Sequence, residues 1–185
     1  GFTKDVGRWV MVPGAAGRRL PLMFERENKL RAEAEISALN VIEKGSDRRI
    51  GFVSSGPAYM HVRESFPDAP VLKLGFSCPV PIDLVRTFAA QCDHLVVVEE
   101  VEPLIETEIR AQGIAVSGKD ILPRSGELSP NVLKPAVARL LGESLPEVAK
   151  VAPMQVFPRP PTMCVACPHL GVYYTLAQLR NVTIS

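Results

Sequence analysis

Several features that would declare a function are missing from this sequence. Of its 185 residues 21 are Lys or Arg and 20 are Asp or Glu, leaving a formal net charge of +1. A chain so evenly balanced gives no electrostatic reason to expect nucleic acid or an acidic membrane as partner. No apolar run approaches the roughly 18 residues that read as a membrane span. No basic-then-apolar signal segment opens the chain, and the expected location is the cytoplasm. The four cysteines, Cys78, Cys92, Cys164 and Cys167, are expected there as thiols or ligands and not as a disulfide frame. The chain opens on Gly1, not Met, and closes inside an unfinished helical pattern. We therefore expect a piece of a longer polypeptide.

What the chain does have is a clear α/β pattern, with hydrophobic residues at 46% and a length that holds one full domain plus tails. Residues 93–113, DHLVVVEEVEPLIETEIRAQG, form its organising unit. The valine run 94–98 reads as a strand covered on both faces. Glu99 and Glu100 end it, and Pro103 sits where a first helical turn tolerates a missing N–H. Leu104, Ile105 and Ile109 give the helix an apolar face, Glu106 and Arg110 an i,i+4 pair, and Gly113 a stop. Upstream, 1–17 is turn-rich, with 9–12 as a short strand or extended lead-in. A helix follows over about 18–36 with one face packed, and 40–47 reads as a polar loop. Strands are expected at 50–54, 71–75 and 114–117, and helices at 58–66 and 82–91. Strands alternating with short helices predict βα repeats with right-handed crossovers. Ser129 is the expected N-cap of a last helix running to Leu141, closed by Gly142. Beyond it, Pro146, Pro153, Pro158, Pro160 and Pro161 favour an extended connector, after which 172–179 turns helical again.

The candidate chemistry is sparse. There is no G-x-G-x-x-G for a dinucleotide and no Gly-Asp-Gly followed by a distant Asn for thiamine diphosphate and its metal. GIAVSGK at 113–119 nearly spells a phosphate loop, but Asp120 stands where Ser or Thr should meet magnesium, and 114–116 is needed as strand. In an open parallel sheet, ligands favour the C-terminal strand ends. Here those ends carry Ser54, Ser55 and Gly56, then Gly75, Phe76, Ser77 and Cys78, then Glu99 and Glu100. The two glutamates could serve acid–base work or a metal. Their plainer role is to cap the next helix. His61 and His94 have no evident partners. Cys164-x-x-Cys167 is the sharpest chemical feature, since two such thiolates can share one zinc or one cluster. Only His169, Cys78 and Cys92 could complete a set of four, and not at the usual spacing. Unpaired thiols are the plain alternative.

Four stretches carry a resemblance: IGFVSSGPAYMHVRESFPDAPVLKLG (50–75), LVVVEEVEPLIETEI (95–109), GELSPNVL (126–133) and RPPTMCVACPHLG (159–171). Together they resemble the α subunit of the indolepyruvate ferredoxin oxidoreductases, thiamine diphosphate-dependent 2-oxoacid enzymes. The resemblance implies a lead-in over 1–18 and a transketolase C-terminal-like domain over 19–142. A Pro-rich linker would span 143–162, and 163–185 would begin the thiamine diphosphate-binding domain. The implied fold is a three-layer α/β/α sandwich over a mainly parallel sheet of about five strands, the fifth placed in the lead-in or at 118–123. It implies no catalytic and no cofactor-binding residue here. Thiamine diphosphate, magnesium and 4Fe–4S clusters would belong to the parent enzyme. Its partners would be the flanking domains, a β subunit, ferredoxin and coenzyme A. Cys164 and Cys167 would be iron–sulfur ligands in the full enzyme only. The family's run near them reads Cys-Pro-Gly-Cys-Pro-His-Arg; here Val165-Ala166 replaces Pro-Gly and Leu170 replaces Arg. Two alternatives stay open: a stand-alone α/β module binding a small anion, and the equivalent domain of a transketolase or a 2-oxoacid dehydrogenase E1 β chain.

Overall fold

The structure, a computed structural model, describes residues 3–10, 12–145 and 162–180, the side chains of Val6 and Arg8 excepted. The chain divides into two compact units, Gly1–Pro146 and Glu147–Ser185. The Pro-rich linker expected over 143–162 falls mostly outside the described residues.

Val6–Trp9 makes one helical turn, α1, and Pro13 then opens the long helix α2 (Pro13–Ile36). Proline suits that first position, where its missing N–H would be unpaired anyway. The helix therefore starts five residues before the expected Arg18, and Trp9, Val10 and Val12 lie outside any strand. Nor does α2 pack one face, since only Ala15 and Ala34 are buried along its length. After it come β1 (Asn40–Glu43), β2 (Ile50–Ser55), α3 (Pro57–Ser65), β3 (Val71–Leu74), α4 (Ile82–Ala89), β4 (His94–Val98), α5 (Leu104–Ala111) and α6 (Pro130–Leu141). The second unit holds α7 (Leu170–Gln178).

The sheet runs β1-β3-β2-β4. Strand β2 lies parallel to both β3 and β4, and β1 pairs antiparallel with β3. Successive side chains of a strand point to opposite faces, and here each face is apolar. Ile50, Phe52, Val96 and Val98 pack with Ala58 and Val62 of α3 and Leu133, Ala136 and Val137 of α6. Val53, Leu95 and Val97 pack with Val85 and Phe88 of α4 and Ile105 and Ile109 of α5. The expected three-layer α/β/α sandwich over a mainly parallel sheet is present.

The strand count differs in its members. The expected loop at 40–47 begins with β1, an edge strand whose ends, Asn40 and Glu43, are polar and whose apolar content is only Val41 and Ile42. Edge strands of this kind do not advertise themselves as apolar runs. Conversely, 114–117 makes a single parallel bridge, Val96 to Ser117. Ser117 donates to the Leu95 carbonyl at 2.9 Å and accepts from Val97 at 2.8 Å, and the chain then turns away. The described sheet has four strands, and no further strand lies at 118–123 or among the described residues of the lead-in.

Candidate functional site

Pro81 and Pro103 occupy the N-cap positions of α4 and α5 and make no side-chain cap. Four N–H groups at each helix start need other acceptors, and both helices take a carboxylate from elsewhere. Glu35, in the last turn of α2, accepts the N–H of Asp83 at 3.0 Å and of Leu84 at 2.8 Å. Glu99, 8% exposed at the end of β4, accepts those of Ile105 and Glu106, each at 2.9 Å. Negative charge at the positive end of a helix dipole is favourable. Of the two roles open to Glu99, the structure gives it the cap. Its neighbour Glu100 is exposed.

A second carboxylate layer sits behind the first. Glu106, 3% exposed, pairs with Arg110 at 2.8 Å, the expected i,i+4 contact. Its other oxygen accepts the backbone N–H of Lys119 at 2.8 Å. The Gly118 N–H donates to Asp120 at 2.6 Å, and the Lys119 ammonium to the carbonyl oxygens of Glu99 at 2.6 Å and Pro123 at 3.2 Å. A phosphate loop needs free N–H groups and a free lysine. In this loop both N–H groups and the lysine serve the protein's own oxygens. Gly118 itself is dictated by packing, because a Cβ there would lie 2.2 Å from the Glu106 Oε2. Arg124 reaches both oxygens of Glu102 at 2.6 Å and holds that carboxyl below the usual carboxylate range. Between these residues Val101 adopts a φ of 56°, a conformation that β-branched residues rarely take.

Residues at the ends of β2 and β3 are also used internally. Ser54 is fully buried and donates to the Val98 carbonyl at 2.8 Å. Gly75 lies under the α2–β1 link, where a Cβ would come 2.6 Å from the Leu39 carbonyl oxygen. Asn40 bridges the same corner, accepting from the Phe76 N–H at 2.9 Å and donating to the Ala34 carbonyl at 2.9 Å. Gly56, N-cap of α3 at φ 59°, brings no side-chain cap. A cleft of about 280 Å³ opens at the opposite, N-terminal edge of the sheet, among Ile50, Ser65, Phe66, Val137 and Leu141. Three of its rim charges are paired with one another: Arg49 binds Asp47 at 2.7 Å and also binds Glu143.

The thiols and imidazoles are scattered. Cys78 is exposed beside β3's C-terminal end and joined to Pro79 by a cis peptide; Cys92 is half-buried, just before β4 begins. These positions lie at opposite ends of the sheet. His61 sits on α3 and His94 opens β4; neither imidazole finds a hydrogen-bond partner among the described residues. In the second unit Cys164 is exposed and Cys167 half-buried. The Cys167 N–H donates to the Cys164 carbonyl at 3.1 Å, and Ala166 turns at φ 58°. This turn sets both thiols just before α7, with His169 at its N-cap position. Among the described residues no three His, Cys, Asp or Glu side chains are grouped to hold a metal. Sequence reasoning missed Glu35, Asn40 and the structural use of Lys119. The prolines at 81 and 103, which cannot cap, were the one available hint.

No family model matches the chain. It is 32% identical over 197 residues to indolepyruvate oxidoreductase subunit IorA of Thermococcus kodakarensis, across 95% of this chain and 30% of the relative. It is 36% identical over 194 residues to the subunit of that name from Methanothermobacter thermautotrophicus, across 97% of this chain and 31% of the relative. Among solved structures, a 2-oxoglutarate:ferredoxin oxidoreductase from Magnetococcus marinus superposes with a TM-score of 0.53 at 17% identity, over 69% of this chain and 23% of that one. At that identity the likeness is one of fold. The chain thus spans about three tenths of the length of the curated relatives it matches. Over nearly all its own length the chain is similar to indolepyruvate oxidoreductase subunit IorA.

Proposed function

We propose that this chain is a non-catalytic scaffold domain of an arylpyruvate:ferredoxin oxidoreductase working in the cytoplasm. The observation that carries the reading is the state of the strand-end face. Where an open parallel sheet would offer a ligand crevice, Glu35 and Glu99 are lodged on helix starts and Lys119 on a backbone carbonyl. The small-anion module meets carboxylates at the α4 and α5 starts of that face. Thiamine diphosphate with magnesium, bound by other segments of the longer enzyme, would supply the carbanion-stabilising chemistry of 2-oxoacid decarboxylation. Electrons would pass through iron–sulfur clusters to ferredoxin and the acyl group to coenzyme A, with a β subunit completing the assembly. The chain's own share is to hold its neighbours in place. Cys164 and Cys167, paired by a tight turn, suit two thiolate ligands of a cluster whose other ligands lie elsewhere.

The test is a chimaera in which this chain replaces the matched stretch of the Methanothermobacter thermautotrophicus relative, produced with its partner subunit. Indolepyruvate-dependent ferredoxin reduction is expected to persist, and to fall at least about tenfold on Cys164→Ser. The isolated chain is expected to turn over nothing and to gain no thermal stability from thiamine diphosphate with magnesium. Turnover by the isolated chain, or a folded but inactive chimaera, sinks the proposal.

A further inference from the structure

Helix α2 is incomplete as a packing element. Its 24 residues extend about 36 Å at 1.5 Å per residue. Leu20, Leu22, Met23 and Phe24 remain 48%, 55%, 49% and 51% exposed. Leu22 and Phe24 stand about 200° apart around the axis, so the helix is apolar on two flanks. Helices apolar in several directions are enclosed ones. The same stretch contains Gly14, Gly17 and Pro21, the poorest helix formers, and helices in proteins draw most of their stability from packing. A Cβ added at Gly14 or Gly17 would meet nothing within 4 Å. Nothing among the described residues therefore calls for glycine there.

We infer that the first half of α2, from Gly14 to Phe24, is a docking surface for another part of a longer polypeptide. That partner presents an apolar face to Leu20, Leu22 and Phe24 and brings its backbone close to Gly14 and Gly17. The inference rests on the proposed function. It is supported by length, since this chain matches 30% of one relative and 31% of another and the remainder of such a polypeptide is ample to wrap the helix. A second copy of the chain fits less well, because a twofold helix pairing covers one flank only.

Amide hydrogen exchange, followed by mass spectrometry, compares the isolated 185-residue chain with the chimaera described above. Amides of 17–24 are expected to exchange at least about 100-fold more slowly in the chimaera. The double variant L22E/F24E loses that gain while β2 and β4 stay protected. Gly17→Leu is a second variant: the isolated chain's melting temperature holds or rises, whereas α2 protection in the chimaera drops about tenfold or more. Equal exchange in both proteins overturns the inference. So does a dimer of the isolated chain that L22E/F24E dissolves, or a chimaera indifferent to Gly17→Leu. An inactive chimaera with α2 protected refutes the scaffold reading and keeps the surface; an active one with α2 unprotected does the reverse.

Discussion

The Lys119 ammonium donates to the Glu99 backbone carbonyl at 2.6 Å, while the carboxylate of the same Glu99 accepts two N–H groups of α5. One residue is thus held through main chain and side chain at once, and it joins the strand, the helix and the 118–123 loop. Glu99→Gln keeps the shape but only one amide oxygen. We expect it to destabilise the domain by about 2 kcal/mol, and Lys119→Met by about 1 kcal/mol. The two are expected to couple by more than ~0.5 kcal/mol in a double-mutant cycle of urea unfolding. Additive losses would show that the two contacts act separately.

Gly118→Ala sets a methyl group 2.2 Å from the Glu106 Oε2. Glu106 is 3% exposed and bound to Arg110 and the Lys119 N–H, so it cannot step aside without breaking both. The expected loss is about 2–3 kcal/mol. Gly17→Ala, in open space, should leave stability level or slightly raised. Equal unfolding midpoints for the two variants would contradict the packing account of Gly118.

A phenol and a carboxyl contribute to stability in opposite pH directions. Tyr59 donates to Glu43 at 2.5 Å, and this bond pushes the phenol above its ordinary range. Its folded pKa is raised, so its contribution is complete below the unfolded value, about 10, and is lost as pH climbs through the folded one. Tyr59→Phe should remove that alkaline limb of the stability curve. Glu102, lowered by its bond to Arg124, works in the opposite direction. Its contribution is present above the unfolded carboxylate value and fades as pH falls through the folded one. Exposure and salt make it small. A melting temperature whose alkaline slope survives Tyr59→Phe would rule out the assignment.

The thiols should separate by reactivity. Cys92 is half-buried over Gly51, and burial, helped by Asp93, pushes its thiol upward. Cys78 and Cys164 are exposed. Toward a disulfide reagent at neutral pH, Cys92 is expected to react at least about tenfold more slowly than those two. Peptide mapping of the labelled chain after timed quenching reads the order directly.

What the sequence disclosed followed from locality. The valine run of β4, the Glu106–Arg110 pair and Gly142 at φ 68° closing α6 are each written within one helical turn or one strand. The start of α2 was hidden because Gly14, Gly17 and Pro21 resemble a turn-rich segment, and β1 because its polar ends masked Val41 and Ile42. Glu35 was out of reach on different grounds: it caps Asp83 across 48 positions, and no spacing rule links the two. Lys119 was read inside a phosphate-loop pattern, whereas its partners are the protein's own carbonyls. The family resemblance came from joined motifs and not from any one of them.

Because β1 runs against its neighbour, Asn40 faces Leu74 and Gly75 hydrogen-bonds Leu39. The polypeptide is therefore threaded into the sheet from the side on which β3 finishes, and α2 stands on that rim. Pulling or twisting that helix would act first on Glu35 and so on the opening turn of α4. Strain arriving along α2 would thereby be delivered to the start of α4 through the two Glu35 bonds.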